Sequence, residues 1–393
     1  MEMIAALFND ILFVILAVNV IYLLFFSVAG LFNKKVKSRP VLKNNRFAIF
    51  IPAYKGDSII LNTVNETFQQ FYPRTLYDII VIGDSLNELT VGQLRMLPIK
   101  FVEVKFENST KVKSIIAGIK ALEGTGVAYD YAILLDIDNI MEIDFLAKIN
   151  QTLQRGQLAL QGHRIAKNSD SSFAILDGIS EEINNHIFRK GHHVLGLSSA
   201  MIGSGKAIEY NLFSRLMKEI TAVGGFDKEL EILLISRGIL IDYDDDAIVF
   251  DEKVQQSSVF QNQRKRWMAA QLAFMKKYTF KGIITSIRTR NIDFFDKCIQ
   301  LLLLPRLINL GLLIVLSGLY FAGYNFGMGF IILLVMEIVA LSIAIPKNYY
   351  NLRTLKALMQ LPNGFMLMVL NVFKLKGVNK KFIHTPHSVT KVD

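Results

Sequence analysis

The stretch Tyr131-Ala-Ile-Leu-Leu-Asp136-Ile-Asp138 decides the fold. Its continuous apolar run predicts a strand that is buried on both faces, as in a parallel sheet covered by helices. The two aspartates follow at the carboxyl end of that strand, where open α/β sheets bind their ligands. Because surface turns also produce Asp-x-Asp, the pair becomes informative only together with other motifs.

Apolar strand patterns and helical patterns alternate on both sides of this stretch. Strands are predicted over 47–52, 79–83, 102–106 and 132–136, and helices over 58–71, 110–122 and 143–154. Residues 244–246, three aspartates in a row, are predicted as a solvated loop between two strands. The alternation indicates an α/β fold with a doubly wound, mixed and mostly parallel sheet over residues 46–295.

Both ends of the chain are apolar. Of its 393 residues 52% are hydrophobic, and the mean hydropathy is +0.35. We predict membrane spans over 11–32, 299–321 and 326–345, and an interfacial or re-entrant helix over 357–373. The expected domains are therefore an anchor with a basic linker (1–45), the soluble domain (46–295), a transmembrane helix pair (296–346) and an interfacial helix with a basic tail (347–393).

The net charge of +10 is concentrated beside the apolar segments, at Lys34, Lys35, Lys37, Arg39 and Lys43 and at Lys374, Lys376, Lys380 and Lys381. This placement favours contact with membrane lipids and a cytosolic soluble domain, and no basic motif supports nucleic-acid binding. Cys298 is the only cysteine, so no intrachain disulfide is possible. Arg306 and Glu337 lie in predicted spans, where we expect them to pair; separate positions at the interface and in a groove are the alternative.

Further motifs lie at the other strand ends and downstream. The first strand ends in Pro52-Ala-Tyr54, the second ends at Asp84, and Gln263-Arg-Lys-Arg266-Trp267 contains the only tryptophan. With 197–205, 224–227 and 382–386, these motifs resemble the family 2 glycosyltransferases. The resemblance is greatest to membrane-embedded polysaccharide synthases related to bacterial cellulose synthase, and it extends over most of residues 46–390.

The resemblance implies a GT-A-type fold and a set of roles. Tyr54 and Asp84 would frame the uracil of a UDP-sugar, and Lys111 or Lys113 would supply a cation. Asp136 and Asp138 would hold Mg²⁺ or Mn²⁺ against the donor diphosphate. The remaining predicted contacts are Gln263 and Arg266 with the donor, and Trp267, Gly203 and Ser204 with the acceptor. For Trp267, an interfacial anchor is the competing interpretation.

The predicted catalytic base departs from the family pattern. The family has an acidic pair after Gly-Gly-Phe-Asp, and this chain has Lys228 and Glu229 in its place. We predict Glu229 as the general base, with Asp227 and Glu231 as alternatives. Loss of the base, leaving a weak enzyme, is a further alternative.

The resemblance, together with the predicted spans, implies an inverting, metal-dependent transferase on a multi-pass protein of the bacterial inner membrane. It would move sugar from a UDP-sugar to a growing polysaccharide, with a homodimer or an export partner completing a channel. The alternatives are a single addition to a polyprenyl-linked saccharide and a nucleotide-binding scaffold without turnover.

Overall fold

The computed structural model describes residues 2–33, 40–255, 257–324 and 326–372. The cations predicted to follow the first span at 34–39, those at 374–381 and the motif at 382–386 lie outside the described residues. The strands are β1 Phe47–Tyr54, β2 Tyr77–Asp84, β3 Lys100–Val104, β4 Tyr131–Leu134, β5 Ile140–Met141, β6 Ala159–Ala166, β7 Lys206–Glu209 and β8 Ile241–Asp251.

Helices surround this sheet and form both ends of the described chain. They are α1 Glu2–Ala29, α2 Ile60–Thr67, α3 Glu88–Arg95, α4 Lys111–Leu122, α5 Phe145–Leu153, α6 Ser172–Asn184, α7 His192–Val194, α8 Tyr210–Glu219, α9 Phe226–Ser236, α10 Ser257–Thr289, α11 Ile292–Leu302, α12 Arg306–Phe321, α13 Gly329–Ala344, α14 Leu352–Leu358 and α15 Leu361–Val372. A π-helical segment, Asn185–Gly191, joins α6 to α7.

The eight strands form one sheet in the order β3-β2-β1-β4-β7-β6-β8-β5. The first four are parallel, β7 runs antiparallel to both neighbours, β6 and β8 are parallel, and β5 is antiparallel to β8. The predicted mixed, mostly parallel α/β sheet is thus confirmed. Because β1, β2 and β4 are parallel neighbours, their carboxyl ends lie at one edge.

The sheet separates two apolar layers. Ile49 and Phe50, adjacent in β1, are both 0% exposed and belong to different layers. One layer includes residues of α4, α8 and α9, and the other includes residues of α2 and α5. Burial on both faces explains why the parallel strands are continuously apolar in sequence.

Residues 244–246 do not form the predicted loop, since all three lie within β8. The β6–β8 register shifts between Gly162 and His163, so the ladder accommodates the acidic segment as a bulge. Two of its carboxylates are also held by neighbouring elements: Asp244 accepts a hydrogen bond from Thr152, and Asp245 pairs with His163.

The prediction of three membrane spans is not supported. Among the described helices, one segment, Ala6–Ala29 of α1, is long and apolar enough to cross a membrane. The predicted span over 299–321 is divided into α11 and α12, which meet at an angle of 55° and would count as a second span only if taken together. Pro305 precedes α12 and disfavours a helical conformation at Leu304, which separates the two helices. The other two apolar stretches form shorter helices: α13 has 16 residues, and α15 has 12.

The predicted ion pair between Arg306 and Glu337 is wrong. Arg306 begins α12 and donates from Nη2 to the Oγ and carbonyl oxygen of Ser180 in α6, both at 3.1 Å. Glu337 in α13 accepts instead from Asn309 Nδ2 at 2.8 Å. In the described part of the chain no ion pair joins the two side chains, because they face different helices.

Candidate active site

Two predicted donor-binding residues lie side by side at the carboxyl ends of β1 and β2. Tyr54 and Asp84 are direct partners in the strand register. Lys55 donates its backbone N–H to the carbonyl oxygen of Asp84 at 3.1 Å. Lys55 and Ser85 have φ angles of +49° and +59°, a left-handed conformation that is costly for residues with a Cβ. The chain therefore turns sharply at both strand ends.

The carboxylate of Asp84 is only partly hydrogen bonded. The residue is 1% exposed, and Ser85 Oγ donates to its Oδ1 at 2.9 Å. Its Oδ2 is buried and has no hydrogen-bond partner. A buried acceptor without a partner costs about 1–3 kcal/mol, so this atom is suited to receive a donor from a ligand.

Asp136 lies in the turn after β4, where two other site residues hold it and a third, Gly203, lies beside it. Lys111, the first residue of α4, forms an ion pair with Asp136 Oδ1. Ser204 Oγ accepts from the Asp136 backbone N–H at 3.0 Å. A Cβ on Gly203 would lie 3.1 Å from Asp136 Oδ2, so glycine leaves room beside that oxygen. The structure thus brings Gly203 and Ser204, predicted for the acceptor, directly against the first aspartate.

Lys111 and Lys113, the two candidate cations, have different surroundings on α4. Lys113 is exposed, and its Nζ donates to the carbonyl oxygen of Asn108 at 2.7 Å. Lys111 Nζ points to Asp136 and lies 3.5 Å from the carbonyl oxygen of Gly203. Of the two, only Lys111 contacts Asp136 in the described structure.

The segment from Asp136 to Asp138 is held by contacts with α2 and with neighbouring loops. Thr63 in α2 donates to the carbonyl oxygen of Ile137, and a Cβ on Gly56 would overlap the Ile137 side chain. Asp138 is 5% exposed, and its carbonyl oxygen accepts from Lys167 Nζ at 2.7 Å. These contacts hold the two aspartates in a defined turn.

Glu229, the predicted base, lies in a saturated hydrogen-bond network. The residue is 1% exposed, and its carboxylate accepts from the backbone N–H groups of Thr221 and Ala222, from Lys277 Nζ at 2.6 Å and from Tyr278 OH at 2.7 Å. Burial on its own would raise the pKa of Glu229, but these hydrogen bonds together hold it below the ordinary value. The contacts are those of a carboxylate that ties α9 to α10.

Asp227 differs from Glu229 in exposure and in surroundings. It is partly exposed in the first turn of α9, and its charge acts on the ammonium groups of Lys111 and Lys206. The Phe226 ring lies 5.4 Å from Lys111 Nζ and 4.9 Å from Lys206 Nζ. Asp227 is thus within electrostatic range of Lys111, the ion-pair partner of Asp136.

Lys206 is a site residue that the sequence analysis missed. It begins β7, is 1% exposed and donates to the carbonyl oxygen of Ile202 at 2.9 Å. Burial lowers its pKa to about 8, while the carboxylates of Asp227 and Glu231 act in the opposite direction. A lysine inside a short buried strand, directly after Gly205, was the available signal.

The third candidate base, Glu231, is paired away from the strand edge. Its Oε1 accepts from Lys297 Nζ of α11 at 2.5 Å, and both residues are 1% exposed. Lys297 also donates to Gln300 Oε1 at 2.7 Å. Glu231 therefore links α9 to α11.

A family comparison now agrees with this arrangement of strand-end carboxylates. The family model described as glycosyltransferase like family 2 matches residues 44–270, more than half of the chain. The chain belongs to this glycosyltransferase family. The match begins before β1 and ends in α10, so it covers each candidate described above. The family model is broader than the polysaccharide-synthase subtype, which stays a prediction.

The glycosyltransferase is remotely similar to solved structures. The mannosyltransferase PcManGT from Pyrobaculum calidifontis, in complex with GDP-Man and Mn²⁺, matches with a TM-score of 0.48 and 13% identity over 86% of this chain and 99% of its own. TarS from S. aureus matches with a TM-score of 0.41 and 12% identity over 64% of this chain and 54% of its own. No curated protein sequence matches the chain significantly.

In the glycosyltransferase, the Gln263–Trp267 motif lies on α10. This helix packs on the start of α9, since a Cβ on Gly225 would lie 3.2 Å from the Phe274 side chain. Trp267 is 44% exposed, with the Arg264 guanidinium 4.7 Å from its ring centroid. No described hydrogen bond or ion pair joins Gln263 or Trp267 to the Asp136 cluster. Burial lowers the pKa of Arg266, which is half-buried on the same helix.

Asp136 and Asp138 fit the predicted divalent cation as partial ligands. The described residues contain no group of three or more His, Cys, Asp or Glu side chains arranged around one metal position. Two carboxylates offer the hard oxygen atoms that Mg²⁺ and Mn²⁺ prefer, and Gly203 leaves space beside Asp136 Oδ2. The missing ligands would have to come from donor phosphates and water.

The sequence analysis also missed a network of ion pairs around Glu181. Glu181 in α6 is 4% exposed and pairs with Arg164 at 2.8 Å, Arg189 at 2.9 Å and Lys253 at 3.7 Å. Arg164 also interacts with the charge of Asp138. The partners are far apart in sequence, so no local motif indicates the network.

Proposed function

We propose that this glycosyltransferase moves a sugar from a UDP-sugar to an acceptor hydroxyl with inversion at the anomeric carbon. The observation that carries the proposal is the convergence of Tyr54, Asp84, Lys111 and Asp136 at one sheet edge. These side chains offer an aromatic wall, an open hydrogen-bond acceptor, a cation and a hard oxygen ligand. A nucleoside diphosphate needs each of them.

The donor would lie along this edge with its base toward Tyr54 and Asp84. Asp84 Oδ2 would accept an N–H of uracil, which satisfies the atom that the protein leaves without a partner. Asp136 and Asp138 would hold Mg²⁺ or Mn²⁺, which supplies positive charge to the departing diphosphate. Lys111 would pair with phosphate oxygens once the donor separates it from Asp136.

Asp227, rather than Glu229, is the base that the geometry supports. It is partly exposed and interacts with Lys111, whereas Glu229 is buried and fully hydrogen bonded. Asp227 would take the proton of the acceptor hydroxyl while that oxygen bonds to the anomeric carbon. The bond from carbon to the UDP oxygen breaks in the same step, with its electron pair leaving on UDP.

The acceptor at the membrane is the less determined part of the proposal. The two candidates are a growing polysaccharide and a polyprenyl-linked saccharide. The break between α11 and α12 and the short α13 provide few spans for a polymer channel. This observation favours a single addition to a lipid-linked acceptor, with α1 anchoring the protein to the inner membrane. A ladder of products would support the polymer, and one added sugar would support the lipid.

The test compares Asp227→Asn with Glu229→Gln in purified protein supplied with UDP-sugars, Mn²⁺ or Mg²⁺ and lipid-linked acceptors. Loss of the general base lowers kcat about 10²–10⁴-fold, so we expect that loss in Asp227→Asn. We expect the Glu229→Gln variant to retain most of the wild-type turnover. Its unfolding temperature should be lower, because Lys277 loses its charged partner.

The two variants also distinguish the alternatives. Turnover that survives Asp227→Asn and disappears in a folded Glu229→Gln would return the role to Glu229. UDP binding without release in the wild type, with each donor and acceptor, would contradict the proposed reaction.

A further inference from the structure

Arg306 occupies an unusual position for a cation. It is the first residue of the apolar helix α12 and lies against α6. The two hydrogen bonds described for its guanidinium go to neutral acceptors, the Oγ and carbonyl oxygen of Ser180. Its Nη1 is buried without a hydrogen-bond partner. Arg306 therefore has unused donor capacity at the junction of the catalytic domain with the apolar helices.

The charges around Arg306 do not neutralise it by contact. The groups that act on it include two further guanidinium groups, those of Arg264 and Arg189, and the carboxylates of Glu181 and Glu337. Glu181 already pairs with Arg164 and Arg189. Within the described ranges, no carboxylate lies within ion-pair distance of Arg306.

Two other arginines in the same region have carboxylate partners. Arg189 has Glu181 at 2.9 Å, and Arg264 has Asp177 at 2.6 Å. Removing a charge from water is costly unless a counter-charge and further hydrogen bonds replace the water. Arg306 lacks that compensation within the protein, so an anion from outside would stabilise it.

The surroundings of Arg306 indicate what kind of anion fits. Further along α12, Ile314 and Phe321 lie within about 80° of Arg306 around the helix axis, and they are 54% and 76% exposed. On another face of α12, α15 packs closely, since a Cβ on Gly311 would overlap the Phe365 ring. A guanidinium at one end of an exposed apolar face matches a molecule with an anionic head and an apolar chain. Phosphate is the head group that arginine binds best, through paired N–H···O bonds.

We propose that Arg306 binds the phosphate of the lipid-linked acceptor and so places the acceptor sugar toward the strand edge. This assignment rests on the proposed function for its acceptor class. The shared chemistry is a phosphate on an apolar chain. Bilayer phospholipids carry the same chemistry, and the experiment separates the two sources.

The experiment measures binding of farnesyl phosphate and of farnesol to the full chain in detergent. The variants are Arg306→Met, Arg306→Lys and, as a control, Arg288→Met at an exposed position near the end of α10. We expect farnesyl phosphate to bind at least tenfold more weakly to Arg306→Met, with an intermediate loss in Arg306→Lys. Farnesol binding and the control variant should not change. Equal farnesyl phosphate binding by Arg306→Met and the wild type would overturn the proposal.

Unfolding temperature separates a binding role from a structural one. A cation without a counter-charge adds little to stability, so Arg306→Met should unfold without ligand at the wild-type temperature or above it. Farnesyl phosphate should raise the unfolding temperature of the wild type and leave that of Arg306→Met unchanged. A large drop for Arg306→Met without ligand, together with no effect of ligand on the wild type, would make Arg306 a structural residue.

Two further measurements are needed. One distinguishes a lipid-linked acceptor from a bilayer phospholipid as the source of the phosphate, and the other distinguishes failure of the phosphate site from failure of the proposed function. Nanodiscs of zwitterionic lipid with added phosphatidic acid test the bilayer. If phosphatidic acid displaces bound farnesyl phosphate at equal concentration, the site binds bilayer lipid and the acceptor assignment fails. If the wild type binds farnesyl phosphate through Arg306 but releases UDP from no donor, the proposed function fails and the phosphate site stands.

Discussion

The carboxylates at the strand edge and those in the charge network of α6 differ in how many partners the protein gives them. Glu181 meets three cations, and although burial would raise its pKa, Arg164, Lys253 and Arg189 hold it well below the ordinary value. Asp84 has one hydroxyl donor and an oxygen without any partner. Asp136 has one cation beside the space that Gly203 leaves.

From this difference we infer which carboxylates hold the fold together and which would bind a ligand. Glu181 and Glu229, which hold elements together, are saturated by the protein, because a buried acceptor without a partner costs stability. A carboxylate that meets substrate keeps an atom unsatisfied until the substrate arrives. By this criterion Glu229 belongs with Glu181, and Asp227 belongs with Asp84 and Asp136.

The largest effect on folding is expected for Glu181→Gln. The substitution leaves Arg164, Arg189 and Lys253 with one carboxylate fewer, and breaking a buried pair costs about 3–5 kcal/mol. Chemical denaturation should show this loss. The control is Glu103→Gln, which breaks an exposed pair with Arg95 and should cost less than about 1 kcal/mol. Equal losses in the two variants would remove the contrast drawn here.

Asp84→Asn should change ligand binding more than folding. Hydrogen bonds to charged groups contribute about 1.5–3 kcal/mol, so UDP should bind about 10–100-fold more weakly by calorimetry. The unfolding temperature should stay near that of the wild type, because Asp84 Oδ2 has no partner to lose.

Asp78→Asn is the matched control on the same strand. Asp78 lies at the other end of β2 and accepts from Arg46 and from Tyr129 OH at 2.7 Å. Its replacement should lower stability and leave UDP binding unchanged. If Asp78→Asn weakens UDP and Asp84→Asn does not, the donor edge has been assigned to the wrong end of the sheet.

A further effect is a pH dependence of stability at His163. Burial lowers the pKa of His163, but hydrogen bonds to Asp245 and Glu182 outweigh it and raise the pKa to about 10. A raised pKa stabilises the fold below the unfolded value of about 6.5, and this contribution is lost as pH rises toward 10. The slope for one proton is at most about 1.4 kcal/mol per pH unit. Unfolding midpoints of His163→Gln should therefore depend less on pH between 7 and 9.

His186→Gln provides a control of opposite sign. Burial is the main cause that lowers the pKa of His186, whose Nε2 contacts the carbonyl oxygen of Ser27. Its contribution is present above the unfolded pKa and is lost as pH falls. The wild type should lose stability at high pH because of His163. The His186→Gln variant should show the same loss, and the His163→Gln variant should not. A His163→Gln variant with the wild-type profile would show that the histidine is neutral in the folded protein.

The sheet and its ligand edge could be predicted because their signals are local. The apolar run before Asp136 predicts a buried strand, and Pro52-Ala-Tyr54 and Asp84 terminate strands whose parallel order follows from the alternation. These residues converge because parallel strands end together. The prediction needed no long-range information beyond that rule.

The roles of the acidic residues in α9 could not be predicted from spacing. Three carboxylates lie at alternate positions within about one turn, and their environments depend on partners 48 to 66 positions away, Lys277 for Glu229 and Lys297 for Glu231. Lys206 was missed for the same reason. Hydropathy likewise could not show that Pro305 separates α11 from α12 or that Arg306 faces Ser180.

The ties between α9 and the helices that follow it decide where a catalytic fragment can end. A fragment cut at residue 270, where the family match stops, loses Lys277, Tyr278 and Lys297. A cut at 295, the boundary predicted from composition, still loses Lys297. Either truncation leaves Glu231 as a buried acid within one turn of Asp227. Expression of a compact catalytic unit therefore has to retain α11, although its sequence resembles the beginning of the membrane region.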